Sequence, residues 1–237
     1  MINFPINLAE PHIKEFLTLN DTQKEQLNLY GNLLLEWNQK INLTAITEPE
    51  DVVIKHFLDC LLFFKNVNVP KNAKVIDVGT GAGFPGVVLK IARPDIQLTL
   101  LDSLNKRVVF LNELLNALNL TATTVHSRAE EGGQKSDLRE RFDIACARAV
   151  APLNVLSEYC VPFVKMGGSF VALKGPSGNQ ELENAKNALK LLGCKNGSVY
   201  YEKLPTGEER TIITAKKISQ TPPKYPRISA KISKQPL

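Results

Sequence analysis

Histidine and cysteine are scarce in this chain of 237 residues, and the scarcity removes whole classes of function. The three histidines (His12, His56, His126) and four cysteines (Cys60, Cys146, Cys160, Cys194) include no Cys-x-x-Cys pair and no histidine at ligand spacing from a cysteine. A metal site is therefore not expected, and the cysteines read as reduced thiols in or near the core. No apolar run approaches the ~18 residues that a membrane span requires. The opening MINFPINLAE has Pro5 and Glu10 where a secretory leader needs a basic end and an apolar stretch. These absences lead us to expect a soluble, cytoplasmic protein. With 43% hydrophobic and 22% charged residues, collagen-like, disordered and mini-protein classes are also excluded. The length allows one or two domains with a full core.

Acidic residues are missing from the end of the chain. After Glu209 come Arg210, Lys216, Lys217, Lys224, Arg227, Lys231 and Lys234 and no carboxylate. The remaining 22 basic and 24 acidic residues leave residues 1–209 at −2, so the whole positive excess of the +5 chain lies in its last 28 residues. Such a run is either a solvated tail or an electrostatic arm for a polyanion such as RNA.

What is present falls into three parts. Residues 1–70 read as a helical extension. Leu27, Tyr30, Leu33, Leu34 and Trp37 recur at helical spacing behind a cap at Asn20 or Asp21. A loop over Asn42–Thr47 leads to a second helix, for which Thr47 and Glu50 suggest a capping box and Pro49 a first turn. The polar, Pro-containing stretch Asn66–Asn72 is the best boundary. From Lys74, short apolar runs alternate with helical stretches: 75–79, then 85–92; 98–102, then 105–119; 121–126; 142–150, then 153–165; 168–175, then 179–192. This rhythm predicts a parallel sheet covered by helices, with residues 71–218 as one α/β domain. Residues 197–204 and 210–217, joined by Pro205-Thr206-Gly207, read as an antiparallel terminal hairpin. Residues 219–237 form a basic, Pro-rich tail expected to be extended.

The most informative segment is Asp77-Val-Gly-Thr-Gly-Ala-Gly-Phe-Pro-Gly86, between a strand and a helix. Its glycines at 79, 81 and 83 let the backbone turn tightly and approach a ligand. Asp102 ends the next strand, 19 residues after Gly83, where a carboxylate can accept from both ribose hydroxyls of an adenosine-type ligand. A dinucleotide and S-adenosylmethionine both satisfy this arrangement. Asp77 favours the second, because a carboxylate beside a pyrophosphate is costly whereas the donor carries a sulfonium and an ammonium. The pattern thus reads as a Rossmann-like, class I S-adenosylmethionine-dependent methyltransferase. An NAD(P)-dependent oxidoreductase is the alternative, and the chain has no evident Tyr-x-x-x-Lys partner set for it. A non-catalytic RNA- or ribosome-binding module on the same scaffold is the other.

The chain closely resembles the RsmG (GidB) family, bacterial enzymes that methylate a guanine at N7 in 16S ribosomal RNA. The resemblance rests on Asn42-Leu-Thr-Ala-Ile-Thr47, Lys55-His-Phe-Leu-Asp59, the 77–86 loop, Leu100-Leu-Asp-Ser103 with Lys106-Arg107, Ser127-Arg-Ala-Glu130, Ala147-Arg-Ala149, Lys174-Gly175 and Lys224-Tyr-Pro-Arg227. It departs at Ala147, where the family usually has serine, and in lacking the glycine that often follows the Lys-Tyr-Pro-Arg block. The resemblance implies cofactor contacts at Gly79 and Phe84, Asp102 at the ribose, Ala129 and Glu130 near the adenine, and Arg148 at the end of the fourth strand. It also implies 16S ribosomal RNA, in the small subunit or an assembly intermediate, as the partner; a monomer is expected. Asp77, Gly81 and Gly83 complete the expected cofactor set.

Guanine N7 has a free lone pair and no proton to lose, so in-line methyl transfer needs alignment but no obligatory general base. Arg148 and Lys174 are the candidates for positioning the base or its phosphates, with a structural role as the other reading of each. Lys106 and Arg107 are either phosphate contacts or a solvated helix face. Cys146 reads as packing. Asn38, Asn42, Lys55 and His56 form a polar set beside the site, with His56 read chiefly as a satisfied core histidine.

Overall fold

The structure, a computed structural model, describes residues 1–148, 151–195 and 197–237. One seven-stranded sheet organises them: β1 (Lys74–Val78), β2 (Gln97–Asp102), β3 (Thr123–His126), β4 (Phe142–Arg148), β5 (Val164–Lys174), β6 (Ser198–Lys203) and β7 (Glu209–Lys216). The order is β3-β2-β1-β4-β5-β7-β6. The first five strands run parallel, and β7 is antiparallel to both β5 and β6. The expected hairpin is therefore present at one edge. The expected fourth strand ends at Arg148; residues 149 and 150, including Ala149 of the Ala-Arg-Ala block, lie outside the described residues. The chain leaves β1 toward β2 and β3 and later returns to β4 on the other side of β1. That reversal opens a crevice at the carboxyl ends of β1 and β4, where open α/β sheets bind ligands.

Strand parity decides which side chains meet. Val75, Leu98, Leu100, Ile144, Cys146, Val171, Leu173 and Ile212 face one apolar core. Ile76, Val78, Leu101, Ala145, Ala147, Phe170, Ala172 and Ile213 face the other. The second core is closed by α9 (Leu153–Cys160) and α10 (Gly178–Leu191). The first is closed by α6 (Gly86–Ala92), α7 (Asn105–Ala117) and the N-terminal helices, so Leu27, Tyr30, Phe57 and Leu61 belong to the same core as the sheet. These N-terminal helices are α1 (Glu10–Ile13), α2 (Asp21–Asn38), α3 (Pro49–Val52), a π-helical stretch Val53–Leu58, α4 (Asp59–Leu61) and α5 (Phe63–Asn66).

The caps differ from expectation at one helix. Asn20 caps α2, with a reciprocal box to Gln23. At α3 the N-cap is Glu48 and no side chain caps it; the Thr47 box does not form. Gln23 also donates to the carbonyls of Ile91 and Ala92, and Gln26 to that of Leu118. Helix α2 thereby satisfies the open ends of α6 and α7. The helix expected over 153–165 stops at Cys160 because Pro162 lies in a 3-10 turn and β5 begins at Val164. All four cysteines are buried and unpaired. No helix among the described residues is long and apolar enough to cross a membrane.

The tail is not extended as expected. Arg139 donates to the carbonyls of Thr221, Pro222 and Tyr225, and Gln134 to that of Pro226. A short helix, α11 (Ser229–Lys234), follows. Three of the seven cations after Glu209 are internally paired, Arg210 with Asp59, Lys217 with Glu140 and Arg227 with Glu158, which removes them from any solvated arm.

Candidate active site

Two cavities open at the carboxyl edge of the sheet. The smaller, of about 180 Å³, is lined by Gly79, Ser103, Ser127, Ala129, Glu130 and, from beyond the sheet, Tyr159 and Ser229. Three expected cofactor residues, Gly79, Ala129 and Glu130, thus share one wall. The volume suits one end of a large ligand, since whole-ligand pockets usually exceed about 300 Å³. Ala129 and Glu130 begin α8 (Ala129–Gly132), directly after β3.

The glycine loop is held from below and from the side. Asp77 is fully buried; its Oδ2 accepts from Thr80 Oγ1 at 2.6 Å and from the Gly86 N–H at 2.8 Å. Burial pushes this carboxyl up to about 6, against the opposing pull of those two hydrogen bonds. The turn brings Thr80 and the start of α6 back onto the carboxylate, so Asp77 organises the loop through Oδ2. Its Oδ1 is buried without a hydrogen-bond partner. Gly81 (φ +61°) has nothing within 4 Å of where a Cβ would stand, so its bare side lies open to a ligand. Gly83 (φ +98°) is enclosed; a Cβ there would lie 2.7 Å from Tyr30 Oη.

Asp102 is almost fully buried and joins the same loop. Its Oδ2 accepts from the Gly81 N–H and its Oδ1 from the Leu104 N–H, each at 2.9 Å. Arg107 stands 3.5 Å from Asp102, while Lys106 is exposed. A carboxylate has about four lone-pair sites, so two remain for ribose hydroxyls. An open Gly81, an Asp102 with acceptor capacity and an unpartnered Asp77 oxygen fit an adenosine-type ligand that carries positive charge.

The larger cavity, of about 490 Å³, is lined by Lys55, His56, Asp59, Arg148, Leu173, Lys174, Glu181 and Arg210. Arg148, expected both at the cofactor and as a positioner of the base, lines this cavity. Counting from Ile144 and Cys146, its side chain leaves β4 on the face of the N-terminal helices. There its NH1 donates to Asp59 Oδ2 at 3.1 Å and to the Lys55 carbonyl at 3.3 Å, and its NH2 to His56 Nδ1 at 3.0 Å. Its guanidinium lies 4.7 Å from the ring centre of Phe84. Phe84, also an expected cofactor contact, is buried between Tyr30 (5.2 Å, stacked) and His56 (4.5 Å, stacked). Its side chain is therefore committed to supporting Arg148.

The tautomer of His56 follows from its partners. A guanidinium can only donate, so Nδ1 accepts; Nε2 carries the proton and donates to Thr44 Oγ1 at 2.8 Å. Burial, reinforced by the charge of Arg148, pushes this ring down to about 3 and keeps it neutral. Asn38 Oδ1 accepts from the Leu43 and Thr44 N–H groups and so shapes the Asn42–Thr47 loop; Asn42 is exposed. Lys55 pairs with Asp51 and Glu208.

Lys174 departs from β5 on the opposite face. It donates to the Ala151 carbonyl at 2.5 Å and pairs with Glu181 at 2.7 Å, and Glu181 accepts from the Leu153 N–H. It anchors Ala151 and, through Glu181, the start of α9. Sequence reasoning missed three residues here. Tyr30 looked like any apolar helix position, yet its Oη donates to the Ala82 carbonyl at 2.6 Å. Asp59 does carry a signal, a carboxylate among Phe57, Cys60 and Leu61. Arg210 was counted with the tail, although it shares the strand parity of Ile212.

Comparison with known proteins fits this geometry. A family model described as rRNA small subunit methyltransferase G matches residues 23–212. The ribosomal RNA small subunit methyltransferase G of Clostridium perfringens (strain 13 / Type A) is 50% identical over 93% of each chain. The protein of the same name from Desulforamulus reducens is 47% identical over the full length of both. Among solved structures, the precorrin-6y C5,15-methyltransferase of Geobacter metallireducens is similar in fold alone, with a TM-score of 0.51 and 16% identity over 75% of this chain and 91% of that one.

Proposed function

Because the chain belongs to the rRNA small subunit methyltransferase G family, a family of S-adenosylmethionine-dependent methyltransferases, we propose that it methylates N7 of a guanine in 16S ribosomal RNA. The bound donor supplies an electrophilic methyl group on a sulfonium. Gly79, Gly81, Asp102, Ala129 and Glu130 would hold the donor, with Asp77 and Phe84 supporting the loop from behind. The RNA enters as the small subunit or an assembly intermediate. The protein acts as a cytoplasmic monomer, and residues 1–70 serve as an extension that completes the substrate side of the site.

The observation that carries the N7 reading is the engagement of the histidine and both carboxylates that line the cavity of Arg148. His56 is neutral and bonded through both nitrogens, Asp59 lies between two guanidiniums, and Glu181 is tied to Lys174. Such a cavity presents donors and positive charge, which suits an acceptor atom that has a lone pair and sheds no proton. Arg148, fixed in plane by Phe84 and His56, then positions the base, and Lys174 holds the cavity wall at Ala151. The target base must be unstacked to reach it.

The test is methylation of 16S ribosomal RNA from a strain lacking the enzyme, followed by mass spectrometry of nucleosides. The account expects 7-methylguanosine. Methylation at an exocyclic amine or on another base would overturn the N7 assignment.

A further inference from the structure

Four cations line the larger cavity, Lys55, Arg148, Lys174 and Arg210, against two carboxylates, Asp59 and Glu181. Their pairings are unequal. Lys174 is matched by Glu181, and Lys55 by Asp51 and Glu208. Arg148 and Arg210 share the single carboxylate of Asp59, at 3.1 Å through Oδ2 and 3.3 Å through Oδ1. Burial holds the Asp59 carboxyl above its ordinary value, while both guanidiniums pull it down. With both arginines charged and Asp59 ionised, the trio carries one net positive charge; the second carboxylate on Lys55 balances it across the wider cluster, but among the described residues Asp59 is the one carboxylate that pairs with either arginine. Two partly buried guanidiniums on one carboxylate leave donors that an anion of the ligand can take.

The two arginines are not equivalent. Arg148 is committed, its NH1 and NH2 held by Asp59, Lys55 and His56 and its face lying over Phe84. Arg210 reaches Asp59 through Nε and the Glu209 carbonyl through NH1, which among the described residues leaves NH2 with donors to spare. Its side chain is about a quarter exposed against the 15% of Arg148, so it lies nearer the mouth. A guanidinium clamped at Nε with a free outer edge is the fork that binds a phosphate.

We propose that Arg210 is a substrate-positioning residue that contacts a phosphodiester of the RNA beside the methylated base, with Asp59 as the clamp that aims it. This rests on the RNA-methylating reading above and adds to it the residue that grips the backbone. Phosphate contacts fix register while base contacts give sequence, so Arg210 would set where the target guanine stands relative to Arg148.

The experiment uses the full-length protein and a 16S ribosomal RNA fragment, in intact form and with methylphosphonate replacing, in turn, each phosphodiester around the target guanosine. RNA affinity is measured over a salt series, and S-adenosylmethionine affinity by calorimetry, for wild type, Arg210→Ala and Arg210→Lys. The expected result is roughly tenfold weaker RNA binding for Arg210→Ala, a salt slope reduced by about 1 and unchanged donor affinity. Arg210→Lys should keep most of the slope and recover part of the affinity. One methylphosphonate position should weaken the wild type and leave Arg210→Ala indifferent. Wild-type affinity and slope in Arg210→Ala, or equal sensitivity of both proteins at every neutralised position, would overturn the inference. The arginine effects on binding without any methylation of the fragment would sustain the phosphate contact and sink the proposed reaction, so the two failures are separable.

Discussion

Tyr30 Oη, on the second helix of the chain, donates to the carbonyl of Ala82 at 2.6 Å, inside the glycine loop 52 residues away. The helical extension therefore holds the loop as well as covering the sheet. Tyr30→Phe leaves a buried carbonyl without its donor, which costs about 1–3 kcal/mol. Urea unfolding should show that loss, and calorimetry a weaker affinity for S-adenosylmethionine. Unchanged values in both would mean the bond is dispensable.

The two inner loop glycines should respond differently to alanine. Gly83→Ala drives a Cβ to 2.7 Å from Tyr30 Oη and 2.8 Å from Val87 Cγ2 at a φ of +98°, so it should lose folded stability by about 3 kcal/mol or more. Gly81→Ala meets open space and carries only the strain of φ +61°, about 1–2 kcal/mol. It should fold and lose donor binding, because the added methyl occupies the open side. Thermal unfolding and donor titration of both variants check the contrast. Equal effects on stability would contradict it.

Asp77 and His56 make opposing contributions to the pH dependence of stability. Asp77 titrates near 6 in the fold against an ordinary 3.8, so the folded state holds a proton that the unfolded state releases. Its penalty is fully present above pH 6 and is relieved as the pH falls toward 4. His56 titrates near 3 against 6.5, so its contribution is full above pH 6.5 and is lost progressively below it. Between pH 7 and 5 each amounts to about 1–2 kcal/mol with opposite sign. Relative to wild type, Asp77→Asn should lose stability on acidification and His56→Asn should gain it. Denaturant unfolding at pH 7 and pH 5 measures both; parallel curves for all three proteins would contradict the assigned protonation states.

The tail is tied down at Glu158. This fully buried carboxylate accepts from the Arg227 backbone N–H, Nε and NH2 at 2.8, 2.9 and 2.7 Å. The neighbouring Tyr159 and Ser229 hydroxyls, 3.1 Å apart, both line the smaller cavity. Arg227→Met strands the buried charge and should cost about 3–5 kcal/mol. It should also weaken donor binding, because the cavity wall formed by Ser229 loosens with the tail. Stability loss without any change in donor affinity would place the tail outside the cofactor site.

Much of this arrangement was legible before the structure. The β/α rhythm, the Asp77–Gly86 loop and the acid at Asp102 are local patterns, each set by period or by turn chemistry within a few residues. The Asn20 cap is local too. What escaped were relations across long separations. Asp59, Arg148 and Arg210 meet only because β4 and β7 present the same parity to the N-terminal helices, and no spacing rule links residues 59 and 210. The contacts of Arg148 with Phe84 and His56 escaped as well, because motif position does not say which face of a strand end or loop a side chain leaves from. The tail was misread as extended because its partners, Arg139 and Glu158, sit in other parts of the chain.

The division of labour at the sheet edge is tested most directly by a crystal structure with S-adenosylhomocysteine bound. The account predicts the adenosine against Gly79, Asp102, Ala129 and Glu130, with the cavity of Arg148 and Arg210 left open beside it. Adenosine seated between Arg148 and Arg210, with the space beside Glu130 empty, would contradict it.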